Sequence, residues 1–257
     1  MSHSFFETHA HLDYLKEFPI EEILQKSKDA GIKKIITIAV EPQNQDEALS
    51  LACKYDDVYC TQGLHPHEAK FWSQDLEKKI RHNIKNSKVV AIGEIGLDYH
   101  YDNSPREDQR KAFEAQLQIV VDSNLPVVIH TREAEDDTES ILKNFLPQMK
   151  KAGVIHCYTS NEKLARFAFY NGFSLGFNGI VTFKAAENVR DILRITPLDR
   201  ILLETDCPFL APIPYRGREN HPFYLPYIAQ KIAEVKEVTL EELAPILWAN
   251  SCRLFLE

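Results

Sequence analysis

The sequence predicts an α/β fold: a (β/α)8 barrel of the TIM type, formed as a single domain over residues 1–257. Three observations lead there. Short apolar, β-branched runs alternate with longer amphipathic segments, the pattern of parallel βαβ units. Eight such runs can be counted along the chain. The length of 257 residues also suits a barrel, which typically needs about 250 residues. A doubly wound open sheet would share the alternation, but no G-x-G-x-x-G follows a strand to support it.

The elements follow in order. Phe5-Phe6 opens a first short strand ending near His9, and Ile20 to Ala30 is expected as a helix stopped by Gly31. Lys33 to Val40, KKIITIAV, is a β-branched strand, and Gln43 to Tyr55 is helical. Val58 to Gly63 is a strand, Leu76 to Ile84 a helix, and Val89 to Gly93 a strand. Arg106 to Ser123 is a long helix with Ala112, Phe113, Leu117, Val120 and Val121 at helical spacing. Ser104-Pro105 before it reads as an N-cap followed by proline at the first helical position. Pro126 to Ile129 is a strand, Thr138 to Lys150 a helix, and Val154-Ile155 a short strand. Glu162 to Asn171 is helical and Gly172 stops it. Phe173 to Phe177 and Arg200 to Leu203 are the last strands, with Glu187 to Leu193 helical between them. Two helices, Pro222 to Val235 and Leu240 to Leu256, close the chain. Cys207 to Pro222 is rich in proline and is expected as a loop over the barrel mouth.

Composition excludes several classes. With 44% hydrophobic residues and a net charge of −8, the chain is too apolar for disorder. No run approaches the ~18–20 apolar residues of a membrane helix. Met1 to Glu7 has neither a basic flank nor an apolar core, so no secretory signal is read there and a cytoplasmic location is expected. The five cysteines, Cys53, Cys60, Cys157, Cys207 and Cys252, are scattered and form no C-x-x-C, which predicts reduced thiols. Net acidity disfavours a broad basic face for polyanions. It leaves room for a phosphate-handling site, because bound cations can supply local positive charge. No membrane association and no obligate protein partner are expected.

The polar residues carry the functional signal. In an α/β barrel the site lies at the C-terminal ends of the strands. Those ends hold His9 and His11, His65 and His67, Glu94, His130, His156 and Asp206. Neutral histidines with carboxylates are divalent-metal ligands. Residues i and i+2 of a strand share a face, so His9 and His11 can grip one ion while Ala10 points away. Cys157 and Cys207 follow inward-facing ligands and should face the helices, so they are discounted. Singly, each residue has a plain structural role: His130 and His156 as hydrogen-bonded core groups, Glu94 as an ion-pair partner, Asp206 as a turn cap, His67 as a surface turn residue. Jointly they are harder to dismiss, because burying so many ionisable groups without an ion is costly. His3, His82 and His100 fall outside the pattern.

Several motifs resemble a known family. Thr8-His9-Ala10-His11-Leu12-Asp13 is similar to the opening H-x-H of the amidohydrolase superfamily. Gly63-Leu64-His65-Pro66-His67, Gly93-Glu94-Ile95-Gly96-Leu97-Asp98-Tyr99, Val128-Ile129-His130-Thr131-Arg132, Ile155-His156-Cys157 and Glu204-Thr205-Asp206-Cys207-Pro208 resemble the TatD family of metal-dependent deoxyribonucleases. The resemblance implies a TIM barrel with two divalent ions, of magnesium, manganese, zinc or nickel type. One ion would bind His9, His11, Glu94 and Asp206. The second would bind His130 and His156, with Glu94 shared. Glu94 stands where many amidohydrolases use a carbamylated lysine. His221 departs from the family's N-E-P in the late loop, which leaves the metal ligands untouched.

These expectations define a mechanism and its rivals. Asp206 is the candidate to orient the attacking water and take its proton, with Glu94 as the second catalytic carboxylate. His65, His67 and Arg132 are candidate phosphate contacts, Arg132 lying on the same strand face as His130. The leading expectation is a deoxyribonuclease, of 3′–5′ exonuclease type, acting on single-stranded DNA ends. The rivals are a metallohydrolase of amide, lactone or aminoacyl-tRNA ester bonds, and a non-catalytic, metal-stabilised scaffold. Tyr99, Tyr101, Phe209 and Tyr215 fall in mouth loops, as base-stacking or packing residues, with packing favoured.

Overall fold

Parallel strands packed on both faces must be apolar on both faces, and the apolar runs meet that demand. In a computed structural model that describes residues 3–257, they form β1 (Phe5–Ala10), β2 (Ile32–Thr37), β3 (Val58–Gln62), β4 (Val89–Asp98), β5 (Val127–Arg132), β6 (Gly153–Ile155), β7 (Ser174–Phe177) and β8 (Ile201–Leu203). Met1 and Ser2, part of the expected 1–257 unit, lie outside the described residues. The eight strands are parallel and ordered β1 to β8 without a crossover, so each pairs with its sequence neighbour.

Closure between β8 and β1 is made just past the end of β8. The Asp206 N–H donates to the His9 carbonyl at 2.9 Å, and the His11 N–H to the Cys207 carbonyl at 2.8 Å. Buried Glu7 adds a staple, its Oε1 accepting from the N–H groups of His9 (3.0 Å) and Thr205 (2.9 Å). Burial pushes the Glu7 carboxyl up to about 8, so it sits there as a neutral acid.

The helices α1 (Ile20–Asp29), α2 (Gln45–Lys54), α3 (Gln74–Asn83), α4 (Arg106–Ser123), α5 (Glu135–Phe145), α6 (Glu162–Tyr170), α7 (Glu187–Ile195), α8 (Leu225–Lys236) and α9 (Leu240–Phe255) complete the fold. Strand residues Phe5, Ile35, Val127, Ile129 and Ile201 pack with helix residues Leu117, Leu142 and Ile228. The alternate positions Phe6, Ile36, Val90, Val128, Val154 and Leu202 form a separate inner floor with Phe255. Phe6 also meets the Trp248 ring of α9 at 6.0 Å. The barrel is therefore filled below, and polar groups gather only at its upper end. Among the described residues no helix is long and apolar enough to cross a membrane.

Several element boundaries differ from the sequence expectation, and three of them are instructive. The helix expected at Thr138 to Lys150 begins three residues earlier, at Glu135, where Glu135, Asp136 and Asp137 complement the helix N-terminus. It yields to a 3-10 turn at Leu146–Gln148, where Pro147 cannot continue the ladder. The helix expected from Pro222 starts as a 3-10 turn, Pro222–Tyr224, before α8.

The third difference matters most. β4 does not stop at Gly93 but runs on to Asp98, pairing Gly96 with His130 and Asp98 with Arg132. Gly96 makes this possible. Its φ is +144°, and any Cβ there would collide with the His130 carbonyl oxygen. Gly96→Ala should therefore lower stability by roughly 3 kcal/mol through overpacking and backbone strain. Thermal melts should record a fall of about 5–10 °C. An unchanged midpoint would mean that β4 and β5 can separate at this point without cost.

Candidate metal centre

The inner floor fixes which residues rise into the mouth. Val128 and Val154 lie on that floor, so His130 and His156, two residues on, leave β5 and β6 on the same inner face. Leu202 sets Glu204 and Asp206 in the same way beyond β8. β1 requires a break in this rule. Phe6 is on the floor, and strict alternation would turn His9 outward. The pairing of β1 with β2 shifts between Glu7 and Ala10, and both His9 and His11 enter the centre.

Glu94 is the hub. Its Oε1 lies 2.7 Å from His156 Nε2, 2.9 Å from His130 Nδ1 and 3.4 Å from His65 Nε2. Its Oε2 lies 3.3 Å from His9 Nε2. Asp206 Oδ1 is 3.5 Å from His11 Nε2 and 3.7 Å from His9 Nε2. Three overlapping groups result: His9, His11 and Asp206; His9, Glu94 and His156; His65, Glu94 and His130. The donor atoms within each group lie within 4.8 Å of one another. All six expected metal ligands thus come together. His65, expected as a phosphate contact, joins them at ligand range. His67 is not a plain turn residue, since its Nε2 pairs with Asp98 Oδ2 at 2.9 Å. Arg132 lines the same cavity, exposed, with its guanidinium 4.8 Å from the Tyr101 ring centre.

The residues present fit a cation. His9 Nε2, buried and turned toward both carboxylates, has no hydrogen-bond partner. The His9 and His156 rings stack at 3.9 Å with 7° between their planes, an arrangement that disfavours two imidazolium charges. Burial, with His156 adding, lowers the His9 pKa, and burial brings His65 down to about 4. Burial opposes charge on Glu94, yet His156, His65 and His130 hold it well below the usual carboxylate range. Asp206 is likewise held low by His11, His9 and His156 against its burial. The result is buried carboxylates beside two imidazoles, His9 and His65, that favour the neutral form, a donor set for divalent ions. His11, His130 and His156 differ: despite burial, Asp206 raises the His11 pKa, Asp98 and Glu94 raise that of His130, and Glu94 and Glu204 raise that of His156 well above normal. A proton held there would compete with a cation.

Two residues of the site escaped the sequence reading. Asp98 is buried and its Oδ2 takes His130 Nε2 at 3.0 Å as well as His67. Its Oδ1 accepts from the N–H groups of His100 (3.0 Å) and Tyr101 (2.9 Å). By engaging Nε2, Asp98 leaves His130 Nδ1 toward Glu94, the carboxylate–histidine arrangement that orients metal ligands. The signal was present, because Asp98 stands four residues after Glu94 in an unbroken strand. Ending that strand at Gly93 hid it. Glu204 lies beneath His156, 3.7 Å from its Nδ1, and accepts the Cys157 N–H at 2.6 Å. It shares the face of Asp206 two residues on.

The expectation for Cys157 is corrected. It lines the cavity, not the helix side, because its backbone turns at φ +45° two residues past the end of β6. Burial pushes its thiol up to about 12, and it belongs to none of the three ligand groups. Cys207 does pack into the helix-side core. His221 stays clear of the three groups. Its Nε2 meets Glu17 Oε2 at 3.0 Å, and Glu219 accepts from the Lys16 and Glu17 N–H groups, tying the loops after β1 and β8 together.

Comparisons with known proteins agree with this geometry. Residues 6–256 match the family described as TatD related DNase. The metal-dependent hydrolase YabD of Bacillus subtilis is 39% identical over 251 residues, covering 97% of this chain and 98% of its own. The 3′-5′ ssDNA/RNA exonuclease TatD of Erwinia tasmaniensis is 36% identical over 242 residues, covering 91% and 93%. The crystal structure of the TatD homologue YjjV from Escherichia coli superposes with a TM-score of 0.92 at 31% identity, covering 99% of each chain.

Proposed function

We propose, from the premise that this chain belongs to the family of TatD-related DNases and so to the metal-dependent hydrolases, that it cleaves phosphodiester bonds at single-stranded DNA ends in the 3′–5′ direction. The reading takes residues 1–257 as one catalytic unit. The observation that carries it is the convergence of His9, His11, Glu94, His156 and Asp206 at the base of a cavity of about 740 Å³ that also presents Arg132. The exonuclease name of the Erwinia relative supports the choice of substrate.

In this reading His9, His11, Glu94 and Asp206 would hold one divalent ion, and His130 and His156, with Glu94, would hold a second. Magnesium, manganese, zinc and nickel are the ions to test. Bound ions supply acidified water and offset charge on the phosphate. The chain's own groups do the rest. Asp206, ionised and open to the cavity, aligns the attacking water and accepts its proton at Oδ. His65 and His67 donate to phosphate oxygens, with Asp98 fixing the orientation of His67. Arg132 offers a planar fork to the phosphate and, among the described residues, has no carboxylate partner.

Arg132→Ala should raise KM for an oligonucleotide about tenfold, as expected for loss of one charge-assisted contact, with kcat within a few-fold of the parent. Steady-state kinetics read this directly, and an unchanged KM removes Arg132 from phosphate binding.

The function itself is tested with single-stranded oligonucleotides labelled at the 3′ or 5′ end. Chelator-stripped protein is supplied with each ion in turn, beside an amide and an ester substrate. Metal-restored shortening from the 3′ end is the expected result. Turnover of the amide or ester alone would overturn the nuclease reading and keep the hydrolase.

A further inference from the structure

The mouth aromatics separate into two kinds. Tyr99 and Tyr215 are packing residues: the Tyr99 hydroxyl donates to Asp137, and Tyr215 stacks on Tyr224 at 4.0 Å and pairs with the Tyr227 hydroxyl. Tyr101 and Phe209 are different. They line the metal cavity, yet Tyr101 is 55% and Phe209 52% exposed. Leaving large rings in water forfeits the gain that burying them would bring.

Neither ring is on a loose tip. The Tyr101 N–H is held by Asp98 Oδ1 at 2.9 Å. The Phe209 N–H donates to the Asp206 carbonyl at 3.0 Å, and its own carbonyl accepts from buried Asn220 at 2.6 Å. Each ring therefore follows a carboxylate of the site by three residues: Asp98 after β4, Asp206 after β8. In the strand order these loops are four strands apart in a ring of eight, so the rings line opposite sides of the mouth. On one side, Tyr101 stands beside His67 at 5.4 Å and under Arg132. On the other, Phe209 stands 6.1 Å from His11. The candidate ligands lie between them.

We propose that Tyr101 and Phe209 are the base-stacking walls of the site, one for each nucleotide flanking the scissile phosphate. This rests on the nuclease reading above and adds the residues that grip the bases. A phosphate centred on the ligand groups sends its two nucleosides toward opposite rims, where these rings stand. Stacking on a side chain needs an unpaired base and tolerates any base, because every base has a π-face. The rings thus select for unpaired ends without reading sequence. Arg132, beside Tyr101, carries the backbone on that side.

The test uses the metal-loaded enzyme and two single-stranded oligonucleotides, one natural and one abasic at its last two 3′ positions. Tyr101→Ala and Phe209→Ala should each raise KM on the natural strand about tenfold, within the range for one lost base stack. On the abasic strand, already a poorer substrate, both should match the parent. Tyr101→Phe and Phe209→Tyr should restore the natural KM, and both alanine variants should melt with the parent because the rings are exposed. An unchanged KM on the natural strand, or equal losses on both strands, overturns the proposal while the parent remains a nuclease. A parent that cleaves neither strand ends the nuclease reading, and the stacking walls with it.

Discussion

Glu94→Gln should leave a folded protein that holds less than one divalent ion per chain and has lost activity by about a thousandfold or more. Glu94 touches four histidines from four separate strands or their ends: His9, His65, His130 and His156. It is buried, and two of the three ligand groups include it. Disturbing outer partners of a metal site already costs about 10–100-fold in affinity, so removing the shared carboxylate must cost more. The amide keeps the volume but cancels the charge and turns a donor toward the ligands. Metal content after dialysis, with kcat at saturating ion, measures both effects. Two ions retained with full activity would show that the site is built around something other than Glu94.

Asp206→Asn should separate chemistry from assembly. Asp206 meets His11 and His9 but, unlike Glu94, belongs to one ligand group. An asparagine keeps one oxygen for that group and cannot take a proton from water. Loss of a positioned general base typically costs about 10²–10⁴ in rate, and a fall near a thousandfold in kcat is expected with KM little changed. Metal content should fall less than in Glu94→Gln. If kcat survives with the ions in place, another group takes the proton. If metal is lost in proportion to rate, Asp206 acts as a ligand alone.

Much of the fold was legible because it depends on local patterns. The β-branched run Lys33–Val40 reads as a strand, and β2 is found at Ile32–Thr37. The spacing of Phe113, Leu117 and Val120 places one face of α4 against the strands. What was misread lay at boundaries. Gly93 looked like a stop, but the clash a Cβ would meet at Gly96 shows that these glycines admit β5. The error concealed Asp98, a residue that chain position alone would have placed on the Glu94 face. Cys157 was turned the wrong way because alternation was extended two residues past β6, where the backbone has already reversed.

The barrel, the hydrolase family and the six residues proposed as ligands were all legible in the chain. These follow from periodicity, from residue types that serve few purposes when buried together, and from motifs spread along the whole chain. Only the tertiary structure decided how those ligands share their partners. His65 stands with the ligands, Asp98 aims His130 and His67, and the exposed Tyr101 and Phe209 line opposite sides of the mouth. Such facts depend on bringing β4 against β5 and the end of β8 against β1. They depend also on the register shift in β1 that turns His9 inward. Distances of 3 Å between residues tens to hundreds apart in the chain are set by barrel closure, and no local pattern encodes them.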